Sequence, residues 1–459
     1  MQITAASATG PAASDYFAAV FPTALPAPYA MALAACALLA TGCRHSAAER
    51  VLASEPLYDA AFTGYVVCDV ETGEVLASRN PDKLFTPASN TKLLTLATAL
   101  AWLPNDSLPA LAYRHDGDTL RLWGTAYALL GADDAAYNRR IRRRLAEHDG
   151  PVEVSLHGFN ALPRFGSGWM WDDFNGVYAR ERSGLPVYAN LATVWRTSDL
   201  KWGSRPNFLA VRPGAVLPKG RLSRRESSNR FAASAKTSPG DTLRAPLYDA
   251  QALTTQLLED WAGRTIRHHA EPLPPDWKTR VYRGVPRDTL LRAMMLPSDN
   301  FLAEQLLLQA GLHQISSANV ARVMDSALAE LFGAIPADQL RWADASGLSH
   351  YDLASPAALV TVLRELHAAE PWSRLRRVFP AGGEAGTTLA GRYGGRGREG
   401  PWLWAKTGTL RHNHCLAGYL RTDAGRLLAF SFMHNHFAGG SAAYKNAMER
   451  SLRSIKAAY

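Results

Sequence analysis

The sequence predicts an α/β protein: an antiparallel sheet with strands from both ends of the chain, helices from its middle, and a strand-rich insert between. Three observations carry this. Strand patterns bounded by turns occur at 64–78 and again at 402–433, apolar residues at helical spacing dominate 246–310, and short strands divided by glycine turns fill 105–245. At 459 residues the chain exceeds one ordinary core. It divides into a leader-like segment 1–43, a principal domain made of 44–104 and 246–459, and an inserted domain 105–245.

In chain order, a helix is expected near 47–59, then a strand at 64–70, the turn Glu71-Thr72-Gly73, and its hairpin partner at 74–78. Next comes Pro87-Ala88-Ser89-Asn90-Thr91-Lys92, followed by Leu93, Leu94, Leu96, Ala97 and Leu100, which reads as a serine at the start of a buried helix. Three residues make nearly one helical turn, so Ser89 and Lys92 share a face and a neutral lysine amine can take the seryl proton. The first turn also points unpaired N–H groups at anything held near Ser89.

Within the insert, strands are expected at 111–115 and 119–123 around Asp116-Gly117-Asp118, and again at 152–156. The aromatic and acidic segment 166–173 reads as a packed loop, with lining of a groove as the functional alternative. Residues 223–238 read as an exposed loop. The insert is expected to take no part in building the catalytic centre.

After Pro246, Leu247, Ala250, Leu253, Leu257, Leu258 and Trp261 are spaced for one buried helix face, and a Pro-rich connection follows at 272–275. A helix at 288–295 is broken by Leu296-Pro297, which sets Ser298-Asp299-Asn300 in a turn before a helix at 301–310. Taken alone, Ser298 would be a helix N-cap. Asp344-Ala345-Ser346-Gly347-Leu348-Ser349 and the glycines of 382–400 mark loops. Strands follow at 402–410, 415–421 and 427–433, the last two around Asp423-Ala424-Gly425, and a helix at 441–456 ends the chain. Sheet and helices are expected as two layers.

Composition narrows the partners. With 47% hydrophobic and 20% charged residues the chain lies outside the disordered range, and its 12 tryptophans require packing. A net charge of +9 suits an anionic surface or a solvated basic one. The cluster Arg139-Arg140-Ile141-Arg142-Arg143-Arg144 reads as a solvated helix face, and no nucleic-acid motif accompanies it. Cys36, Cys43, Cys68 and Cys415 have neither zinc spacing nor a disulfide framework. His412, His414, His434 and His436 form two H-x-H pairs at strand ends, read as solvated and not as a metal site.

Residues 31–43 form a short apolar run ending in Ala40-Thr41-Gly42-Cys43, too short to span a bilayer. It resembles a lipoprotein signal peptide whose Cys43 is acylated, although no Lys or Arg precedes Arg44, and Met31 is the alternative start. The expectation is a lipid anchor.

Serine and lysine three apart are common by chance. Here Ser298-Asp299-Asn300 and Lys406-Thr407-Gly408-Thr409 follow in order, a triple shared by penicillin-binding proteins and class A β-lactamases. With Asp344-Ala345-Ser346-Gly347-Leu348 and the long separation of Ser89 from Ser298, the chain resembles the D-alanyl-D-alanine carboxypeptidase/endopeptidases. These are the class C low-molecular-weight penicillin-binding proteins, and the resemblance spans about 50–459. It implies a transpeptidase-like domain carrying a large insert.

By this resemblance Ser89 attacks the carbonyl between two D-alanines and neutral Lys92 is the base, kept unprotonated with help from Lys406. Ser298 passes the proton to the leaving amine, and Asn300 holds Lys92 and the substrate amide. The backbone N–H groups of Ser89 and Thr409 form the oxyanion hole, while Lys406, Thr407, Gly408 and Thr409 bind the substrate's carboxylate end. The resemblance further implies peptidoglycan stem peptides as substrates, β-lactams as inhibitors, no metal or organic cofactor, no nucleic acid, and a periplasmic or envelope location. Two alternatives stay open: a serine β-lactamase or β-lactam sensor using the same triple, and a catalytically silent wall-binding protein. No E-x-x-L-N follows the second motif or occurs in the insert, so slow release of penicillin is expected.

Overall fold

Phe62–Asp69 (β1) has no polar face: all but its first residue are buried, so the sheet it joins must be covered on both sides. β1 pairs with β2 (Val75–Arg79), and the sheet is completed from the far end of the chain by β3 (Leu403–Leu410), β4 (Asn413–Arg421) and β5 (Leu427–Asn435). The order is β3-β4-β5-β1-β2, antiparallel throughout. The computed structural model describes residues 46–214, 217–395 and 400–459. Cys43 and the segment 31–43 lie outside them.

Helices cover both faces, so the layers number three and not the expected two. Tyr65 and Val67 pack with Leu52 of α1 (Ala47–Ala53) and with Met448 and Leu452 from the C-terminal helix. Val66 and Cys68 share the other core with Leu93 of α2 (Lys92–Trp102) and with Leu359 and Val362. Two-sided burial continues in β4 and β5, whose apolar runs do not alternate.

α2 is held at its far end by Arg287, a buried residue of α3 (Arg287–Met295). Its guanidinium donates to the Leu100 carbonyl at 2.8 Å and the Leu103 carbonyl at 3.0 Å, placing a cation at the negative pole of the helix. Leu296-Pro297 then separates α3 from α4 (Asn300–Ile315), as expected. The cap of α4 is Asp299, whose carboxylate accepts the Leu302 N–H at 3.0 Å, so Ser298 is free of that role. α5 (Pro356–Ala369) packs on β1, β4 and β5 together with α2, and α6 (Ala442–Ala458) lies with α1 on the opposite face.

In the insert, Ser107–Asp116 and Thr119–Trp123 pair as a hairpin. Their five-stranded sheet also takes Val152–Ser155, Arg267–His268 and Val281–Pro286, so its pairing runs past residue 245. Two three-stranded sheets follow, one of Leu191–Arg196, Trp202–Arg205 and Thr242–Pro246, the other of Ala210–Gly214, Leu222–Arg224 and Arg230–Ser234. Residues 223–238 are therefore not one loop: Arg230–Ser234 forms a strand with Phe231 and Ala233 buried on either side of a half-buried Ala232, a short apolar run hidden among serines. The helix expected from Leu247 exists only over Thr254–Ala262: Asp249 takes φ 49°, outside the right-handed helical region, so the chain turns before the helix begins. The arginine cluster lies on the helix Ala136–Ala146, with Ile141 and Leu145 buried and its arginines exposed, as expected. Among the described residues no helix is long and apolar enough to cross a membrane.

Candidate active site

Ser89 lies in a single 3-10 turn, Ala88–Thr91, that opens directly into α2. Two bare Cα atoms grip this turn. A Cβ on Gly408 of β3 would overlap the Pro87 carbonyl and stand 3.2 Å from Ser89 N, and one on Gly347, at φ +77°, would overlap the Ala88 carbonyl. The strand edge and the loop 344–349 can approach the serine this closely only as glycines.

Lys92 is fully buried and its Nζ has three partners: Ser89 Oγ at 3.0 Å, Asn300 Oδ1 at 2.6 Å and the Ser346 carbonyl at 2.6 Å. Asn300 donates its own Nδ2–H to Tyr178 O at 3.1 Å, which leaves Oδ1 facing the amine. Two of the three partners can only accept. In a neutral amine they occupy both N–H bonds, so the lone pair must point at the Ser89 hydroxyl. Burial first of all lowers the Lys92 pKa from 10.5 to about 8, against the charges of Asp344, Asp299, Glu304 and Asp352, which raise it.

Lys406 is likewise buried, and its Nζ reaches Ser298 Oγ at 2.8 Å and the Thr407 carbonyl at 2.8 Å. Burial and then repulsion from Lys92 hold it well below the ordinary lysine range. Burial is the leading cause on Lys92, and the repulsion between the two amines acts on both, so Lys406 adds to what burial does. Ser298 has φ 66°, a left-handed conformation for a non-glycine residue that turns its hydroxyl toward β3.

Ser89, Ser298, Asn300 and Thr409 open onto a cleft of about 690 Å³. Thr407 does not line it and contributes its carbonyl to Lys406. Thr409 Oγ1 meets His414 Nδ1 at 2.8 Å across the β3–β4 register. His414 and His434 were expected to be solvated; both are buried and pushed down to about 3, chiefly by burial, and His434 Nδ1 lies 3.0 Å from Thr63 Oγ1. The tight Arg411-His412 turn fixes the register that sets 414 opposite 409, a signal present in the sequence. Among the described residues no group of three His, Cys, Asp or Glu side chains gathers to hold a metal.

The insert does not stand apart from the centre, contrary to expectation. Met170, Asp172, Asp173 and Tyr178 form a wall of the cleft, and Arg180 pairs with Asp299 at 2.6 Å. Arg182 and Glu304 make a buried ion pair at 2.6 Å directly behind Asn300. Sequence reading also missed the use of Asp344. It accepts the N–H groups of Ser346 at 3.0 Å, Gly347 at 2.6 Å and Ser349 at 2.8 Å, closing the turn that presents the Ser346 carbonyl to Lys92. Burial acts to raise Asp344, yet hydrogen bonds with Asp352, the Gly347 N–H and Trp169, together with the charge of Arg182, hold it below the usual carboxylate range, while burial and the charge of Asp344 push Asp352 well above it.

A serine with a buried lysine one helical turn away, facing a second lysine on a strand edge, is the layout of the serine penicillin-recognising class. At family level the assignment is direct: the chain belongs to the D-Ala-D-Ala carboxypeptidase 3 (S13) family, matching it over residues 45–213 and 250–456. It is 26% identical to a D-alanyl-D-alanine carboxypeptidase of Actinomadura sp. (strain R39) over 441 residues, covering 84% of this chain and 80% of that one. With the D-alanyl-D-alanine carboxypeptidase DacB of Haemophilus influenzae it shares 29% over 448 residues, covering 84% and 88%. The crystal structure of penicillin binding protein 4 from Haemophilus influenzae shares the fold, with a TM-score of 0.68 at 18% identity over 88% of this chain and 97% of that one.

Proposed function

We propose that the chain is a serine D,D-peptidase that hydrolyses the terminal D-Ala-D-Ala bond of peptidoglycan peptides, and D-alanyl cross-links of similar chemistry, through an ester on Ser89. Ser89 Oγ attacks the carbonyl carbon as its proton passes to the lone pair of Lys92. The oxyanion is received by the backbone N–H groups of Ser89 and Thr409, two donors worth about 3 kcal/mol each in the transition state. Ser298, hydrogen-bonded to Lys406, hands a proton to the departing amine and is resupplied with the one Lys92 took from Ser89, so D-alanine leaves with Lys92 neutral again; Lys92 then takes a proton from the attacking water and returns it to Ser89 Oγ as the ester is cleaved. Lys406 supplies positive charge for the substrate carboxylate, with Gly408 and Thr409 lining the edge strand and Thr407 behind it.

The observation that carries this reading is the three-partner environment of Lys92, which aims a neutral amine at Ser89. It also speaks against a silent wall-binding role, which needs no such base. A peptide ending in D-Ala-D-Ala should lose one D-alanine with this protein and none with Ser89→Ala; release by Ser89→Ala at the wild-type rate would overturn the assignment.

The substrate places the protein in the cell envelope, and β-lactams, which present the same acyl chemistry, are its inhibitors. Acylation of Cys43 would tether it to the membrane surface. Wild-type protein should enter the detergent phase and Cys43→Ser the aqueous phase; equal partitioning into water would refute the anchor.

A further inference from the structure

The loop of the insert that carries Trp169 is stitched to the turn behind the lysine. Trp169 Nε1–H donates to Asp344 Oδ2 at 2.7 Å, Ser349 Oγ donates to the Ser167 carbonyl at 2.6 Å, and the His350 N–H donates to the Gly168 carbonyl at 3.3 Å. Arg182, paired to Glu304, lies over the Trp169 ring at 5.6 Å from its centre, a cation–π contact. Asp344 in turn gathers the N–H groups that set the Ser346 carbonyl on Lys92 Nζ, and Gly347 of the same turn abuts the carbonyl of Ala88, next to the nucleophile.

We propose that Trp169, contributed by the insert, is a positioning residue for Lys92: its indole N–H fixes the Asp344 turn so that the Ser346 carbonyl holds one N–H of the lysine and its lone pair stays on Ser89. The inference rests on the serine peptidase reading and extends it to the inserted domain, whose part in the reaction was open. If the Ser346 carbonyl drifts, Lys92 can turn an N–H toward Ser89 Oγ, and the pair no longer transfers the seryl proton. Without the indole donor the carboxylate of Asp344 is also less compensated, and its fuller charge favours the ammonium form of Lys92. The other titratable groups around the lysine stay in place: Asp299 paired with Arg180, Glu304 paired with Arg182, Asp352 beside Asp344 and pushed well above the carboxylate range, and Lys406 across the cleft.

The test is Trp169→Phe in the full chain, which keeps an aromatic ring while removing the N–H together with the five-membered ring that carries it, beside Trp202→Phe as a control that makes the same truncation at an Nε1 with no partner to lose. The rate of Ser89 acylation by a fluorescent penicillin is followed from about pH 6 to about pH 10, with thermal midpoints measured alongside. Trp169→Phe should acylate about tenfold more slowly at pH 7, with its rising limb moved up by about one pH unit and most of the rate recovered at high pH. Trp202→Phe should match wild type. A Trp169→Phe profile superimposable on wild type overturns the proposal, as does a uniform loss at every pH accompanied by a lowered thermal midpoint. Wild-type protein that takes up no penicillin and releases no D-alanine refutes the peptidase reading itself, a result visible before any variant is made.

Discussion

Lys92 sets the pH dependence of the first chemical step. Burial brings its pKa down from 10.5 to about 8, disfavouring the charged form. Only the neutral amine accepts the seryl proton, so acylation should climb about tenfold per pH unit below 8 and level off above it. At pH 7 about one molecule in ten holds the neutral amine, against about one in three thousand for a lysine in water, so burial gains a few hundredfold. Asp299→Asn keeps the α4 cap while removing one of the charges that raise Lys92, and the limb should move to lower pH. Stopped-flow acylation by a chromogenic penicillin between about pH 6 and 10 measures both. A flat profile, a limb near 10.5, or an upward shift in Asp299→Asn would refute the reasoning.

Gly408→Ala drives a methyl into the Pro87 carbonyl, and a displacement of about 1 Å at Ser89 should cost acylation about a hundredfold, measured as penicillin uptake against time. Gly347→Ala meets the Ala88 carbonyl and adds the strain of φ +77° on a residue with a side chain, so it should also lower the thermal midpoint. Arg182→Met leaves Glu304 buried and unpaired and should destabilise the fold by about 3–5 kcal/mol in denaturant titration, with Arg182→Met/Glu304→Met recovering much of it.

What could be read in the sequence was local. Ser89 with Lys92, the Leu296-Pro297 break before Ser298, and Gly408 on a strand are each set by a few neighbouring residues, and the structure gathers them at and behind one cleft. The unread parts are pairings between distant segments. Nothing near Trp169 signals Asp344, and nothing near Arg182 signals Glu304, because burial supplies the need for a partner and only the fold supplies its identity. The third layer was concealed similarly: a β1 buried on both faces requires cover on both, but the covering helices α1 and α6 come from opposite ends of the described chain. The apolar spacing from Leu247 to Trp261 looked helical throughout, yet the chain turns at Asp249, with φ 49°, and the helix begins only at Thr254.

The central claim is an ester on Ser89 made with Lys92 as base and broken without a dedicated glutamate. The cleft lining includes Asp172 and Asp173 but no glutamate, so the penicilloyl ester, whose leaving group stays tethered, should outlast the acyl-enzyme of a peptide. Intact mass after exposure to penicillin, with peptide mapping and a chase in free buffer, tests this most directly. The account predicts one penicilloyl group per chain, mapped to Ser89, absent from Ser89→Ala, and still present long after a D-Ala-D-Ala peptide would have turned over. An adduct on another residue, or rapid repeated hydrolysis of penicillin with no release of D-alanine from peptide, would contradict it.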